Sequence, residues 1–323
     1  MKTILIGSFP TCLSLFKHLT DTRQLTAVCF EASKNEAENE QFWMDSIQNE
    51  GYNSFVIDKN NIHNEFKDWL KKEAAELVLV CGFSLKIPKD ILDIPKYGFL
   101  NIHFGKLPSN KGPNPIFWSI KNGHKTTAIS IHKINEHWDS GPTVLEHPVS
   151  IIMGETAGMV NSKMSFMLGQ LIQKAIDRIN NQEVVNVQGS TIKNCYNKRP
   201  NAIDKSINWE SHTVDEIENL VNACNPTYGG ATTYYQGSIM KIVEVSPVAD
   251  YMPLLGKISG EIIHAHPQEG LYVCCKYGKL LKLNIISSDV GTLTGTKYVH
   301  LGIQPGHRFT TTSENSNKES IKI

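Results

Sequence analysis

"YGFLNIHFGKLPSNKGPNPIFW", residues 97–118, begins as an apolar strand, passes through a loop rich in Gly and Pro, and ends in helical spacing. Strand, loop and helix in that order make the unit from which an α/β sheet is built. Asn101 and His103 interrupt the apolar strand near its end. Strand side chains alternate between faces, so Phe99, Asn101 and His103 share one face while Leu100, Ile102 and Phe104 share the other. Two polar side chains on one face are costly in a sealed interior. At the carboxyl end of a parallel strand they open onto the crevice where such sheets bind ligands. A polar pair satisfied by the backbone of the following loop is the competing structural reading.

Outward from this stretch the alternation repeats. Strand-like runs at 2–7, 25–30, 53–57, 76–82, 97–104 and 127–134 are interleaved with helical spacing at 12–20, 35–50, 61–75, 114–122 and 155–181. This order predicts an α/β fold: a Rossmann-like, mostly parallel sheet with helices on both faces. The first turn, GSFPTC, lacks GxGxxG, so a dinucleotide site is not expected.

A chain of 323 residues suits about two domains. The expected division is a first domain at 1–182 and a linker at 183–208, where periodicity fades into Pro, Asn and basic residues. A small β-rich, OB- or barrel-like domain is expected at 209–310, followed by a disordered polar tail at 311–323. Thr213 with Glu216 three residues later forms a capping-box pattern ahead of a helix. Strand candidates follow at 231–236, 238–245, 257–264, 270–275, 279–287 and 297–303.

Composition excludes several classes. The start, MKTILIGSFP, reads as a buried strand, neither a secretory signal nor a spanning helix, so no membrane partner and a cytoplasmic location are expected. The seven cysteines lack CxxC or other zinc spacing, which points to reduced thiols and no metal. Formal charge is zero overall, and from Ser206 onward nine Lys/Arg stand against eleven Asp/Glu. A nucleic-acid binder usually carries a basic excess, since phosphate neutralisation supplies most of its affinity.

A second motif, "HKINEHWDSGPTV" at 132–144, supplies Asp139 after the strand ending near Ile134. A carboxylate on that loop can reach His103, set its tautomer and favour its protonated form. An amide, an imidazole and a carboxylate suit acyl transfer. The first two donate to a developing oxyanion, and the third takes the proton lost by the nucleophile. With no Ser or Cys elbow in the sequence, direct attack by the substrate is the simpler mechanism.

On these residues the span 97–146 resembles the catalytic region of the 10-formyltetrahydrofolate-dependent formyltransferases. The matching positions are Asn101, His103, Pro108, Gly112, the run Pro115-Ile116-Phe117-Trp118, and Asp139-Ser140-Gly141. The resemblance implies Asn101, His103 and Asp139 as catalytic residues and 10-formyltetrahydrofolate as co-substrate, without a metal. It also implies a pterin held by the backbone near Phe83, Leu85, Lys86 and Ile87 and near His137 and Trp138. Substrate contacts are expected at Lys111, Gly112 and Trp118. Gly105 and Lys106 depart from the family's Ser-Leu, and Ala128 and Ser130 from its Gly and second Thr.

The acceptor is expected to be a primary amine on a small molecule. The loop around SNKGPNPIFW resembles enzymes that formylate amino-sugar nucleotides. Residues 31–45 carry one Lys against five acidic side chains, which disfavours tRNA. The alternatives are a methionyl-tRNA formyltransferase, a formyltetrahydrofolate hydrolase, and a non-catalytic folate-binding module. Cys274 and Cys275 and Trp43 and Trp69 are expected to serve packing, and the spacing of His264 and His266, which could face a metal, is explained by alternation on a β-strand.

Overall fold

The computed structural model describes the chain except for residues 10, 33–36, 184–194, 250–251, 253 and 314–323, and at 37–40 it describes the backbone alone. Most of the expected linker's centre and of the expected tail therefore lie outside the described residues. The chain divides into two units. One is formed by 1–115, 126–150 and 161–198, the other by 116–125, 151–160 and 199–323.

The first unit is built on a seven-stranded sheet in the order β3-β2-β1-β4-β5-β6-β7. Its strands are β1 (Thr3–Gly7), β2 (Leu25–Glu31), β3 (Asn53–Ile57), β4 (Leu77–Cys81), β5 (Phe99–His103), β6 (Thr126–Lys133) and β7 (Thr143–Ser150). The first five pair in parallel, and only β6 runs against its neighbours. The mostly parallel sheet is as expected. Strand β1 (TILIG) and strand β4 (LVLVC) are buried at every position, which requires cover on both faces. The helices of this unit are α1 (Leu13–Asp21), α2 (Ala37–Asn49), α3 (Glu65–Glu73) and α4 (Lys89–Leu92), while α5 (Pro115–Lys121) lies in the second unit but for Pro115, and α6 (Ala157–Asn180) belongs to the first from Asn161 on. On one face Ile4, Ile6, Val78, Val80 and Phe99 pack against Phe66 and Leu70 of α3 and Ile91 and Leu92 of α4.

The second unit carries α7 (Val214–Cys224), capped by Thr213 and Glu216 in the expected reciprocal pair. Seven strands follow: β8 (Ala231–Tyr235), β9 (Ser238–Pro247), β10 (Ile262–His266), β11 (Gly270–Cys274), β12 (Leu280–Ser288), β13 (Gly291–Thr294) and β14 (Phe309–Thr310). The pairings are antiparallel in the order β10-β11-β12-β9-β8-β14, with β13 beside β12. A bridge between Glu261 and Arg308 joins the β10 edge to the chain entering β14, and Phe309 N donates to Gly260 O at 2.9 Å. That contact curls the sheet into a barrel.

Two expectations in this unit are corrected. The apolar run at 297–303 is not a strand but lies largely in α8 (Gly295–His300), whose Tyr298 is buried. A Cβ at Gly295 would stand 2.2 Å from Leu283 O, so this helix can start so close to β12 only on a glycine. The run at 257–264 becomes a strand only from Ile262, because Lys257–Glu261 is a turn held by its own ion pair at 2.7 Å. Three strands, β7, β13 and β14, were not expected at all.

Candidate active site

Asn101 and His103 stand on β5, as the alternation required, with Phe99 on their face. The neighbouring strand β6 is antiparallel, so Asn101 lies opposite His132 and His103 opposite Ser130. Here the expected route to Asp139 is corrected. The carboxyl end of β6 lies beside the start of β5, not beside its end, and the loop at 134–142 must turn back to return a carboxylate to the imidazole. Two backbone features allow it. Gly141 passes so close to β6 that a Cβ would lie 1.9 Å from Lys133 O, and Asp139 itself takes a left-handed φ of 47°. Asp tolerates that region better than most residues, and such strain clusters at functional sites.

The result is a compact polar cluster. Asp139 Oδ1 is 3.3 Å from Asn101 Nδ2, which donates to it, and 3.8 Å from His103 Nδ1. Its Oδ2 accepts the backbone N–H of Gly112 at 2.8 Å. The side chains of His103 and Asp139 are only 7% and 9% exposed. His103 Nε2 lies 2.7 Å from the carbonyl oxygen of Asn110, which fixes a proton on that nitrogen and leaves Nδ1 toward Asp139.

His132 is the member that sequence reasoning missed. Its Nε2 lies 3.1 Å from Asn101 Nδ2 and 3.5 Å from Asp139 Oδ1, and its Nδ1 is 3.0 Å from Lys133 O. The last contact places its proton on Nδ1, so Nε2 accepts from the Asn101 amide. The signal was present: an antiparallel β5–β6 pairing puts residue 132 straight across from residue 101.

The electrostatics also depart from expectation. Burial holds the His103 imidazole below its usual range, outweighing Asp139 and Asn110, which raise it, while His132 lowers it further. His103 is therefore neutral at rest, not protonated. Burial alone would raise the Asp139 carboxyl. His132, His103 and the Gly112 N–H outweigh it and hold the group below the ordinary carboxylate value. Asp139 is ionised at neutral pH.

The departures at 105 and 130 fit together. A Cβ on Gly105 would lie 2.7 Å from His103 Nε2 and 2.9 Å from Asn110 O, the two atoms whose hydrogen bond sets the ring. Ser130 Oγ donates to Gly105 O at 2.7 Å and accepts from Leu107 N at 3.3 Å, so it holds the same turn from β6. Gly112 is equally constrained, because a Cβ there would lie 2.2 Å from Asn197 O.

The remaining expected residues are placed as follows. Phe83 and Leu85 are half-buried against the core beside α3 and α4, and Ile87 is a buried core member, so its side chain packs inward. Lys86, His137 and Trp138 are exposed. Glu31, at the end of β2, holds Ser84 through both carboxylate oxygens, one accepting from the Ser84 N–H at 2.7 Å and the other from its hydroxyl. Lys89 and Glu136 approach to 4.0 Å and bring the segment after β4 near the 134–142 loop. Lys111 pairs through its backbone with Cys195 and Asn197. Trp118 belongs to the second unit, where its ring meets Phe117 and Lys121. Among the described residues no cluster of His, Cys, Asp and Glu is placed to hold a metal, and no helix is long and apolar enough to cross a membrane.

Comparison with known proteins agrees with this architecture. Residues 25–176 match the Formyl transferase family, and residues 201–298 match Formyl transferase, C-terminal domain. The methionyl-tRNA formyltransferase of Halothermothrix orenii is 30% identical over 221 residues, 68% of this chain and 69% of that protein. A related enzyme of Clostridium tetani is 31% identical, over 66% of this chain and 67% of its own. In structure, the N-formyltransferase from Helicobacter canadensis, solved with folinic acid and dTDP-3-aminofucose, aligns with a TM-score of 0.64. The identity is 19%, over 88% of this chain and 98% of that one. HypX from Aquifex aeolicus with tetrahydrofolic acid aligns at 0.61 and 13% identity over 92% of this chain, which spans about half, 46%, of HypX.

Proposed function

The chain belongs to the formyl transferase family of folate-dependent N-formyltransferases, and we propose that Asn101, His103 and Asp139 are the centre at which it passes the formyl group of 10-formyltetrahydrofolate to a primary amine. The observation that carries this reading is one carboxylate oxygen, Oδ1 of Asp139, lying within 3.3 Å of the Asn101 amide and 3.8 Å of the His103 ring. The neutral amine attacks the formyl carbon, a C–N bond forms, and the carbonyl electrons move onto oxygen. An N–H of Asn101 turns to that oxyanion. Asp139, ionised and facing the unprotonated Nδ1 of His103, takes the proton from the attacking nitrogen and shares it with the ring. The imidazole's transient positive charge then offsets the oxyanion. Collapse breaks the bond to N10 of the folate, which recovers a proton as it leaves. His132 holds the Asn101 amide and Asp139 in register and is a positioning residue.

The pterin is assigned to the backbone of Phe83–Ile87 and to His137–Trp138. The Glu31–Ser84 clamp steadies the first segment, and the Lys89–Glu136 pair keeps it beside the second.

For the acceptor, relatives of both Halothermothrix and Clostridium favour the amino group of methionyl-tRNA over the small-molecule amine expected from charge. The charge argument is also weaker than the bare sequence suggested. Glu31, one of the five acidic side chains at 31–45, is spent on Ser84 and does not face an approaching phosphate freely. An amino-sugar nucleotide stands as the second reading, on the four carboxylates that remain in that run.

Incubation with 10-formyltetrahydrofolate and, separately, methionyl-tRNA or an amino-sugar nucleotide panel tests both levels. Tetrahydrofolate release that requires an amine, with formyl found on methionyl-tRNA, is the expected result. Release on water alone, or none with any amine, would overturn formyl transfer. Formylation confined to the sugar panel would overturn only the tRNA assignment.

A further inference from the structure

Two lysines of the second unit, Lys205 and Lys241, meet at one turn, and a third, Lys121, acts on the Cys224 thiol just before it. The turn is Pro226-Thr227-Tyr228-Gly229-Gly230, between α7 and β8. Gly229 and Gly230 have φ of 67° and 111°, and a Cβ on Gly230 would lie 2.5 Å from Ile242 O. Only glycine lets the turn pass so close to β9. Lys241 of β9 donates its ammonium to the carbonyl of Tyr228, which leaves two N–H groups to point elsewhere. Lys205 Nζ lies 4.5 Å from the centroid of the Tyr228 ring, an arrangement that orients the ammonium without using its hydrogen bonds. Lys121 is paired with Asp204 at 3.2 Å. Among the described residues no carboxylate pairs with Lys205 or Lys241.

The three charges act on one place. Burial pushes the Cys224 thiol up to about 12, and Lys205, Lys121 and Lys241 each pull it back. Lys205, Lys241, Thr227, Thr232 and the turn Tyr228–Gly230 line a cavity of about 320 Å³. That volume is at the small end of ligand pockets, enough for a phosphate with part of the sugar it esterifies. Two ammonium groups facing one cavity repel each other, and an anion between them turns that cost into two charge-assisted contacts.

We propose that this cavity of the second unit binds a phosphate or diphosphate group through Lys205, Lys241 and the hydroxyls of Thr227 and Thr232. The assignment stands without the formyl-transfer reading, since it uses none of the residues of the first unit. The shared chemistry is the phosphoryl group, whether it belongs to a nucleotide or to an RNA backbone.

Calorimetric titration of the full chain with inorganic pyrophosphate tests it. Saturable binding at millimolar concentrations is expected. Lys205→Ala and Lys241→Ala should each weaken it roughly tenfold, the cost of one charged hydrogen bond. Lys205→Glu, on a partly exposed side chain, should abolish it, while Lys297→Ala should leave it unchanged. Circular dichroism of each variant shows whether the fold is kept. Competition then names the source: displacement of pyrophosphate by a nucleoside diphosphate alone marks a nucleotide site, and displacement by duplex RNA alone marks a backbone site. No saturable binding to the wild-type chain, or equal binding by folded Lys205→Glu, would overturn the proposal.

Discussion

Asp139 Oδ2 accepts the backbone N–H of Gly112 at 2.8 Å, so the loop after β6 is tied to the loop after β5 by the very carboxylate that faces His103. Position and charge of that group are therefore coupled.

Asp139→Asn keeps the shape and removes the charge. Formyl transfer should fall by about 10²–10⁴-fold, the range for losing a positioned proton acceptor. Chemical denaturation should show a much smaller change, since the amide oxygen can still accept from Gly112. A variant that kept full kcat would remove Asp139 from the mechanism.

Gly112→Ala places a Cβ 2.2 Å from Asn197 O at a residue with φ of 91°. Strain of about 1–3 kcal/mol is expected from the backbone alone. The loss should appear as a lower denaturation midpoint together with lower activity, because the bond to Asp139 moves with the loop.

Gly105→Ser restores the side chain usual in the family and should harm this protein. Its Cβ would stand 2.7 Å from His103 Nε2. Overpacking of this kind costs about 1–3 kcal/mol. The informative readout is the imidazole resonance of His103, which should move as its bond to Asn110 O is broken.

Acid should destabilise the protein in two windows of the same sign. The folded pKa of His103 is below its ordinary 6.5 and that of Asp139 below its ordinary 3.8. In both windows the unfolded chain binds more protons than the folded one, so stability rises with pH. On acidification the His103 contribution begins to fall near the unfolded value of 6.5 and the Asp139 contribution near 3.8. His103→Gln should abolish the upper window and narrow the lower one, because the ring also helps hold the Asp139 carboxyl down, as followed by urea denaturation across pH.

His132→Asn tests the positioning role. His132 lowers the pKa of both His103 and Asp139, so its removal should shift the acid limb of kcat/KM to higher pH. A rate loss of about tenfold is expected from a displaced Asn101 amide. A rate loss with an unmoved pH profile would mean that the ring only fills space.

Much of this was legible in the chain. Strands β1 to β5 announce themselves because burial on both faces turns them into unbroken apolar runs, and the helices α1, α3, α5 and α6 fall where their spacing placed them. Asn101, His103 and Asp139 lie together in the folded chain. What was not legible depends on direction and depth. Period-two alternation is the same in parallel and antiparallel strands, so the reversal of β6 was invisible, and with it the place of His132. Strand β7 hid behind Glu146, exposed on one face, and Pro148, which ordinarily argues against a strand. The charge state of His103 was misjudged because a sequence displays the carboxylate partner but not the burial that outweighs it. The run at 297–303 is short, apolar and rich in β-favouring Tyr, Val and Ile, yet Gly295 starts a helix there.

Because Asn101 and His132 are direct cross-strand partners, a slip of one residue between β5 and β6 would rotate one of them onto the opposite side of the sheet. Catalytic competence can then appear only after this single pairing is correct, whatever the rest of the chain has already achieved. Recovery of turnover after dilution from denaturant becomes a clock for one event in assembly, separable from the earlier return of helical ellipticity.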